Sequence, residues 1–246
     1  MEKYRYLGLV LTEFLDYAVM ARNVAAAAGR ALGLLIAKSK AHGGMPYECF
    51  SHLYDALVQS VINYGAAVWG DRELSCIGAV QNRASRYFLG LGKYAPTAAV
   101  RGDMGWSTPS HRQWLAVTRQ WCRLVNMNGM RLNKRIFTWA HDKGGPRCKN
   151  WVFRVQQFYR HDRLLHMDHM ANVDYDFNTA ACTRDIDEVL HEHYEVLWVA
   201  EVARVAGRNN VGRNKLRTYR QFKAEFTVEP YVQARKVLGP SDFVHC

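Results

Sequence analysis

Apolar and polar positions alternate only at the start of this chain and then settle into helical spacing. Residues 3–12, Lys-Tyr-Arg-Tyr-Leu-Gly-Leu-Val-Leu-Thr, are rich in β-formers and predict a short strand or hairpin arm. Asp16 is placed to cap a helix that runs to about Lys40 and stops at Gly43-Gly44. Pro46 suits the first turn of a second helix, in which Phe50, Leu53, Tyr54, Leu57, Val61 and Tyr64 form an apolar stripe. A third helix after Asp71 carries Leu74, Ile77, Val80, Ala84, Tyr87 and Leu91 on one face.

Pro96 opens a short helix that stops at Gly102 or Gly105. Thr108-Pro109 is a cap and first turn for a long helix bearing Trp114, Thr118, Trp121 and Val125. Leu132, Ile136 and Trp139 continue that stripe past Asn128-Gly129, and Trp114, Trp121 and Trp139 are expected in the core because such large rings stabilise by burial. Gly144-Gly145-Pro146 is the candidate linker. Beyond it the pattern predicts a helix over 151–165, a loop over 170–182, an acidic-headed helix from Thr183 to about Ala206, and a basic amphipathic helix over about 215–226. The fold class is therefore mainly α, with one short N-terminal β element. The division expected is 1–15, 16–143 and 144–246.

Composition narrows the functional classes. The chain has 246 residues, 49% hydrophobic and 12% aromatic, which favours a folded protein over a disordered one. Its net charge is +11, and that charge is localised: +3 over 1–110, +9 over 111–173, −6 over 174–206 and +5 over 207–246. Basic blocks of this kind attract polyanions, nucleic acid first. The six cysteines (Cys49, Cys76, Cys122, Cys148, Cys182, Cys246) show no Cys-x-x-Cys spacing, so free thiols are expected rather than a zinc site. The apolar run Tyr6 to Leu11 is too brief for a signal peptide. The Ala-rich run Val24 to Ala37, interrupted by Gly29, Arg30 and Gly33, is expected to fall short of a membrane span. An intracellular protein, nuclear or cytoplasmic and away from membranes, is the expectation.

Three segments in order resemble one family. Tyr4-Arg5-Tyr6-Leu7-Gly8-Leu9 resembles the Tyr-Leu-Gly hairpin, the primer grip, of non-LTR retrotransposon reverse transcriptases. The second segment, Leu53 to Gly70, is similar to that family's helix ending in Tyr-Gly and then Val-Trp. It continues through Ile77-Gly78-Ala79-Val80-Gln81-Asn82-Arg83-Ala84, Leu89-Gly90, Pro96-Thr97-Ala98-Ala99 and Gly102-Asp103-Met104-Gly105-Trp106. The third, Asn214 to Lys223 with Phe226, Glu229-Pro230 and Tyr231 after it, resembles a block near the C-terminus of those reading frames. The resemblance implies a primer-grip-like β element, a thumb-like helical domain and a helical C-terminal extension.

It also implies a partner, an RNA or DNA duplex held without sequence preference. Arg5, Tyr6 and Gly8 would meet a nucleic-acid backbone, Gly8 by allowing close approach and Tyr6 by its flat face. Arg83, Arg86 and Lys93 would neutralise phosphates, as would Lys215, Arg217, Arg220 and Lys223. Tyr219 and Phe222 are available for stacking, but they share helical spacing with Leu216 and Phe226 and read as core. Family polymerase chemistry needs two metal ions on paired palm carboxylates, including an aromatic-x-Asp-Asp turn. The chain has no adjacent Asp-Asp and resembles only the region C-terminal to the palm. No catalysis, cofactor or metal is expected.

The remaining patterns read as structural. Asp174-x-Asp176 and Asp185-x-Asp187-Glu188 offer close carboxylates, but Thr183 followed by acids is what a capped first helical turn predicts, and the histidines (His161, His166, His169, His191, His193) lack a third ligand at a suitable spacing. The same residues admit two other readings. One is an interaction module or element relic without nucleic-acid binding, in which the acidic helix masks the basic blocks. The other is part of a reverse transcriptase completed by a palm outside this chain.

Overall fold

In the computed structural model, the residues described are 3–6, 8–13, 16–160, 164–169, 178–203, 216 and 219–234. Strands β1 (Lys3–Tyr6) and β2 (Leu9–Thr12) pair antiparallel in the register Lys3↔Thr12 to Tyr6↔Leu9. Gly8 sits in the two-residue turn at φ +85°, a left-handed conformation that only glycine enters without strain. Thr12 then accepts a hydrogen bond at its Oγ1 from the Asp16 amide (2.7 Å), and the Asp16 carboxylate accepts from the Ala18 amide. That cap starts α1 (Tyr17–Ala41) as expected.

α1 runs straight through Gly29, Arg30 and Gly33 and reaches 25 residues. By length and composition alone it could cross a membrane, which corrects the expectation that the Ala-rich run falls short. Interior glycine costs a helix only about 1 kcal/mol, and packing overrides it. Here α1 lays Met20, Ala21, Ala28, Leu32 and Leu35 into a protein core.

The second helix is α2 (Tyr47–Tyr54), a π-helical turn (Asp55–Gln59) and α3 (Ser60–Ile62). Its buried apolar positions are Phe50, Tyr54, Val58 and Ile62, at a spacing of four. Leu57 and Tyr64, expected on the inward stripe, are exposed. The wider π turn adds a residue to the ladder and rotates every later position about the helix axis. Then come α4 (Ala66–Trp69), α5 (Ser75–Leu89), α6 (Thr97–Met104), α7 (Pro109–Val125) and α8 (Leu132–Lys143). After them come α9 (Trp151–Tyr159), α10 (Leu165–His169), α11 (Thr179–Ala203), α12 (Tyr219–Phe222) and α13 (Pro230–Ala234). The fold is mainly α behind a small hairpin.

Several expected bounds change. α9 stops at Tyr159 rather than near Leu165. α11 begins at Thr179, because the Asn178 carboxamide accepts from the amides of Ala180 and Ala181 (3.0 and 3.2 Å). Thr183 is inside the helix, its hydroxyl donating to the Thr179 carbonyl. The described part of the expected basic helix is one turn, α12. Asp174, Asp176 and His161 lie outside the described residues, as do the side chains of His166 and His169.

These elements form two compact units from interleaved segments. The first comprises Met1–Tyr64, Leu74–Pro109 and His193–Cys246, the second Gly65–Glu73 and Ser110–Glu192. In the first, α1 packs on α5 and on the π turn. Phe50 and Phe88 meet at 5.2 Å and Tyr54 stacks on Trp106 at 4.6 Å. The Trp106 indole donates to the Tyr47 hydroxyl, which donates to the Met104 carbonyl, both at 3.0 Å. Burial pushes the Tyr47 phenol above its ordinary pKa.

The second unit centres on Trp121, edge-on to Phe137 (5.0 Å) and Tyr159 (5.3 Å). The Tyr159 hydroxyl donates to the Thr118 hydroxyl at 3.1 Å, and burial raises that phenol strongly. Trp114, Thr118, Trp121 and Val125 are buried as expected. Leu132, Ile136 and Trp139 are not: α8 turns Phe137 inward and leaves those three on its outer face. Phe137 is the buried residue of that helix, while its apolar period marks the exposed face. Asp71, with its carboxylate fully buried, pairs with Arg154. Gly145 and Cys148 bridge across a tight corner, so the candidate linker segment lies inside this unit.

Candidate nucleic-acid interface

Strand alternation decides which hairpin residues face the protein. Successive side chains leave a strand on opposite faces, so Arg5 and its register partner Val10 share one face while Tyr4 and Tyr6 take the other. Arg5, Gly8 and Val10 line a groove of about 560 Å³ within the first unit. α1 supplies its second wall through Asn23, Ala26, Ala27 and Arg30, residues three to four apart and therefore on one helical face. Ser60, Val61 and Tyr64 close the third side.

The wall is small where α1 presents Ala26 and Ala27, and apolar at Met20, Val24 and Val61. Among the described residues its charged lining is Arg5 and Arg30, both exposed, with no acidic side chain. Two guanidinium groups beside a flat alanine floor can hold an anionic backbone: the small side chains permit close approach, and the cations neutralise charge without reading bases. A Cβ on Gly8 would lie 3.6 Å from the Tyr64 ring, an ordinary contact. Positive φ, not crowding, is what requires glycine there.

The structure thus brings Arg5 and Gly8 together and turns Tyr6 outward on the hairpin. It adds Arg30, Asn23, Ser60 and Tyr64, which sequence reasoning missed. The available signal was the helical spacing of Asn23, Ala26, Ala27 and Arg30, overlooked because Arg30 and the neighbouring glycines read as interruptions.

The other expected residues fall elsewhere. Arg83 is exposed on α5, and Lys93 is exposed with its Nζ 4.9 Å from the Tyr94 ring centre. Neither lines the groove. Arg86 is half-buried and donates from Nη2 to the Ala95 carbonyl (3.1 Å) and the Thr97 hydroxyl (2.9 Å), tying the turn before α6. Lys215 and Arg217 lie outside the described residues, as does the side chain of Arg220. Lys223 is buried, with its ammonium on Glu229 and the Thr227 carbonyl. That lysine is held internally, not offered to a phosphate. Phe222, expected in the core, is exposed because α12 is a single turn.

That C-terminal block instead docks on α6. Trp198, Val202, Leu216 and Phe226 form a buried cluster with Ala98. The Trp198 indole donates to the Ala98 carbonyl at 2.9 Å, and the Tyr219 hydroxyl lies 3.2 Å from the Ala99 carbonyl and 2.8 Å from the Asp103 carboxylate. Tyr231 donates to the same carboxylate at 2.6 Å. Burial first, then the Asp103 carboxylate, pushes the Tyr219 phenol strongly upward. Gly102 makes this seat: a Cβ there would lie 2.4 Å from the Tyr219 hydroxyl and 2.9 Å from Trp198. Residues singled out from the second and third sequence segments therefore meet in space.

Among the described residues no group of three His, Cys, Asp or Glu side chains comes together to hold a metal. His111 pairs with Asp187 at 2.5 Å. Cys122 and Cys182, both buried and free, are hydrogen-bonded; the Cys182 sulfur beside it and burial push the Cys122 thiol up, and the bond from Cys122 draws Cys182 down. Compared with known proteins, the chain matches no family model, no curated protein and no solved structure.

Proposed function

We propose that this chain is a nucleic-acid-gripping helical module, of the kind found C-terminal to the palm in non-LTR reverse transcriptases, and that it holds duplex through phosphates without joining nucleotides. The observation that carries this reading is the groove between the hairpin turn and α1, with Arg5 and Arg30 as its charged lining. The net charge of +11 supports it by raising the local concentration of any polyanion. The absence of adjacent aspartates supports the non-catalytic part, since polymerisation needs clustered carboxylates to hold two metals.

Fluorescence anisotropy with a labelled RNA–DNA duplex tests it. Neutralising about two phosphates makes affinity fall roughly 12-fold between 50 and 200 mM salt. Arg5→Glu with Arg30→Glu should abolish the low-salt signal, while shuffled duplex sequences should bind alike. No binding of the unaltered chain at low salt would end the proposal. Primer extension with Mg²⁺ or Mn²⁺ should yield no product, and robust extension would revive the reading of an active polymerase completed elsewhere.

A further inference from the structure

α8 has an outer face that its own unit leaves uncovered. Leu132, Ile136 and Trp139 are 67%, 54% and 62% exposed, whereas Phe137 is 4% exposed against Trp121. Their 4–3 spacing is continued by Lys143, so the four side chains form one straight seam. An aromatic and two aliphatic groups aligned over two turns exceed the scattered exposure normal for a surface. Nucleobases stack on aromatic faces and gain little from aliphatic ones, so Leu132 and Ile136 argue for a helix as occupant. Charge specifies which kind. Arg131 and Arg135 flank the seam, Lys143 ends it, and Asp142 is the only acid over 131–149.

The chain itself carries a matching acidic seam. On α11 the exposed residues Glu192, Val196, Val199 and Ala203 repeat at 4–3–4, and Glu188 and Asp185 continue the strip toward the helix start. Trp198 and Val202 occupy a different face of α11, turned to the cluster around Ala98. Laid antiparallel, Lys143 faces Glu192, Trp139 faces Val196, Ile136 faces Val199 and Leu132 faces Ala203. The parallel arrangement would set Leu132 on Glu192 and lose the charge match.

We propose that the occupant is a second copy of this chain, with α8 of one copy docked antiparallel on α11 of the other. Two short helices bury a small area, so the association is weak and concentration-dependent. It stands independently of the nucleic-acid reading.

Sedimentation velocity on the full chain without nucleic acid, over a concentration series at low salt, reads this directly. The expected result is a mass rising above the 28.3 kDa of one chain. Trp139→Glu, Lys143→Glu and Glu192→Lys should each raise the half-association concentration on the order of tenfold, since like or unpaired charge then occupies the seam. Mixing the Lys143→Glu and Glu192→Lys proteins should recover much of the loss, because opposite charges face again. All three positions are exposed, and unchanged circular dichroism checks the fold. A mass fixed at one chain throughout overturns the proposal. So does an oligomer insensitive to the three changes, or a charge swap that recovers nothing. Trp139→Glu weakening capture of labelled single-stranded DNA while leaving the mass untouched would assign the seam to nucleic acid instead.

Discussion

Gly8 and Gly102 show two different reasons for one residue type. Gly8 is required by φ +85°, where a Cβ would meet the Tyr64 ring at no more than an ordinary contact. Gly8→Val should cost about 1–2 kcal/mol, because a Cβ in left-handed backbone meets the following carbonyl. Anisotropy should register the same change as weaker duplex binding, since the turn carries Arg5's strand. Gly102 has ordinary helical backbone, but its missing side chain is where Tyr219 and Trp198 rest. Gly102→Ala should cost about 1–3 kcal/mol by overpacking, read as an earlier urea midpoint. Arg154 makes a third case: Arg154→Met leaves the Asp71 carboxylate buried without its cation, and an uncompensated buried charge costs about 3–5 kcal/mol. Denaturant titration checks this, and a loss below 1 kcal/mol would show that the pair contributes little.

Element by element, the caps separate what spacing foretells from what it misplaces. Asp16 caps α1 as its position implied, whereas α11 is capped by Asn178 and not by Thr183. The two residues are five apart, and both precede acidic or apolar helical pattern, so sequence alone favoured the hydroxyl nearest the acids. Asn178→Ala should cost about 1 kcal/mol and Thr183→Ala nearly nothing, because only the former strips first-turn amides of their acceptor. Equal losses from the two in thermal melts would contradict this assignment. α8 illustrates the opposite difficulty. Its apolar period marks Leu132, Ile136 and Trp139, yet the residue it buries is Phe137, which meets the Trp121 ring edge-on.

At the scale of the molecule, alkaline pH should be the weak flank. Tyr47, Tyr159 and Tyr219 all hold their phenolic protons above the ordinary value, mainly through burial. The unfolded chain releases such protons near pH 10, so above that value the folded state binds more protons than the unfolded one. Stability is therefore complete below about pH 10 and falls as pH rises beyond it. Urea unfolding between pH 8 and 11 should show this decline. Tyr219→Phe should flatten part of the slope even though it lowers the plateau by removing hydrogen bonds to Ala99 and Asp103. A slope unchanged by that substitution would mean the phenol does not titrate with folding.

The helical class, the hairpin, the Asp16 cap and the inward face of α7 were all legible in residue order, because capping and periodicity are local properties. The basic character was legible too, since charge needs no fold to be counted. Tertiary structure alone decided which cations remain available. It put Arg30 beside Arg5 across a turn of chain, and it committed Arg86 to a loop and Lys223 to Glu229. It also joined Asp103 to Tyr219 and Tyr231 over more than a hundred residues. Spacing along a chain carries no information about such distant encounters. They follow from which apolar faces bury one another, and only packing settles that.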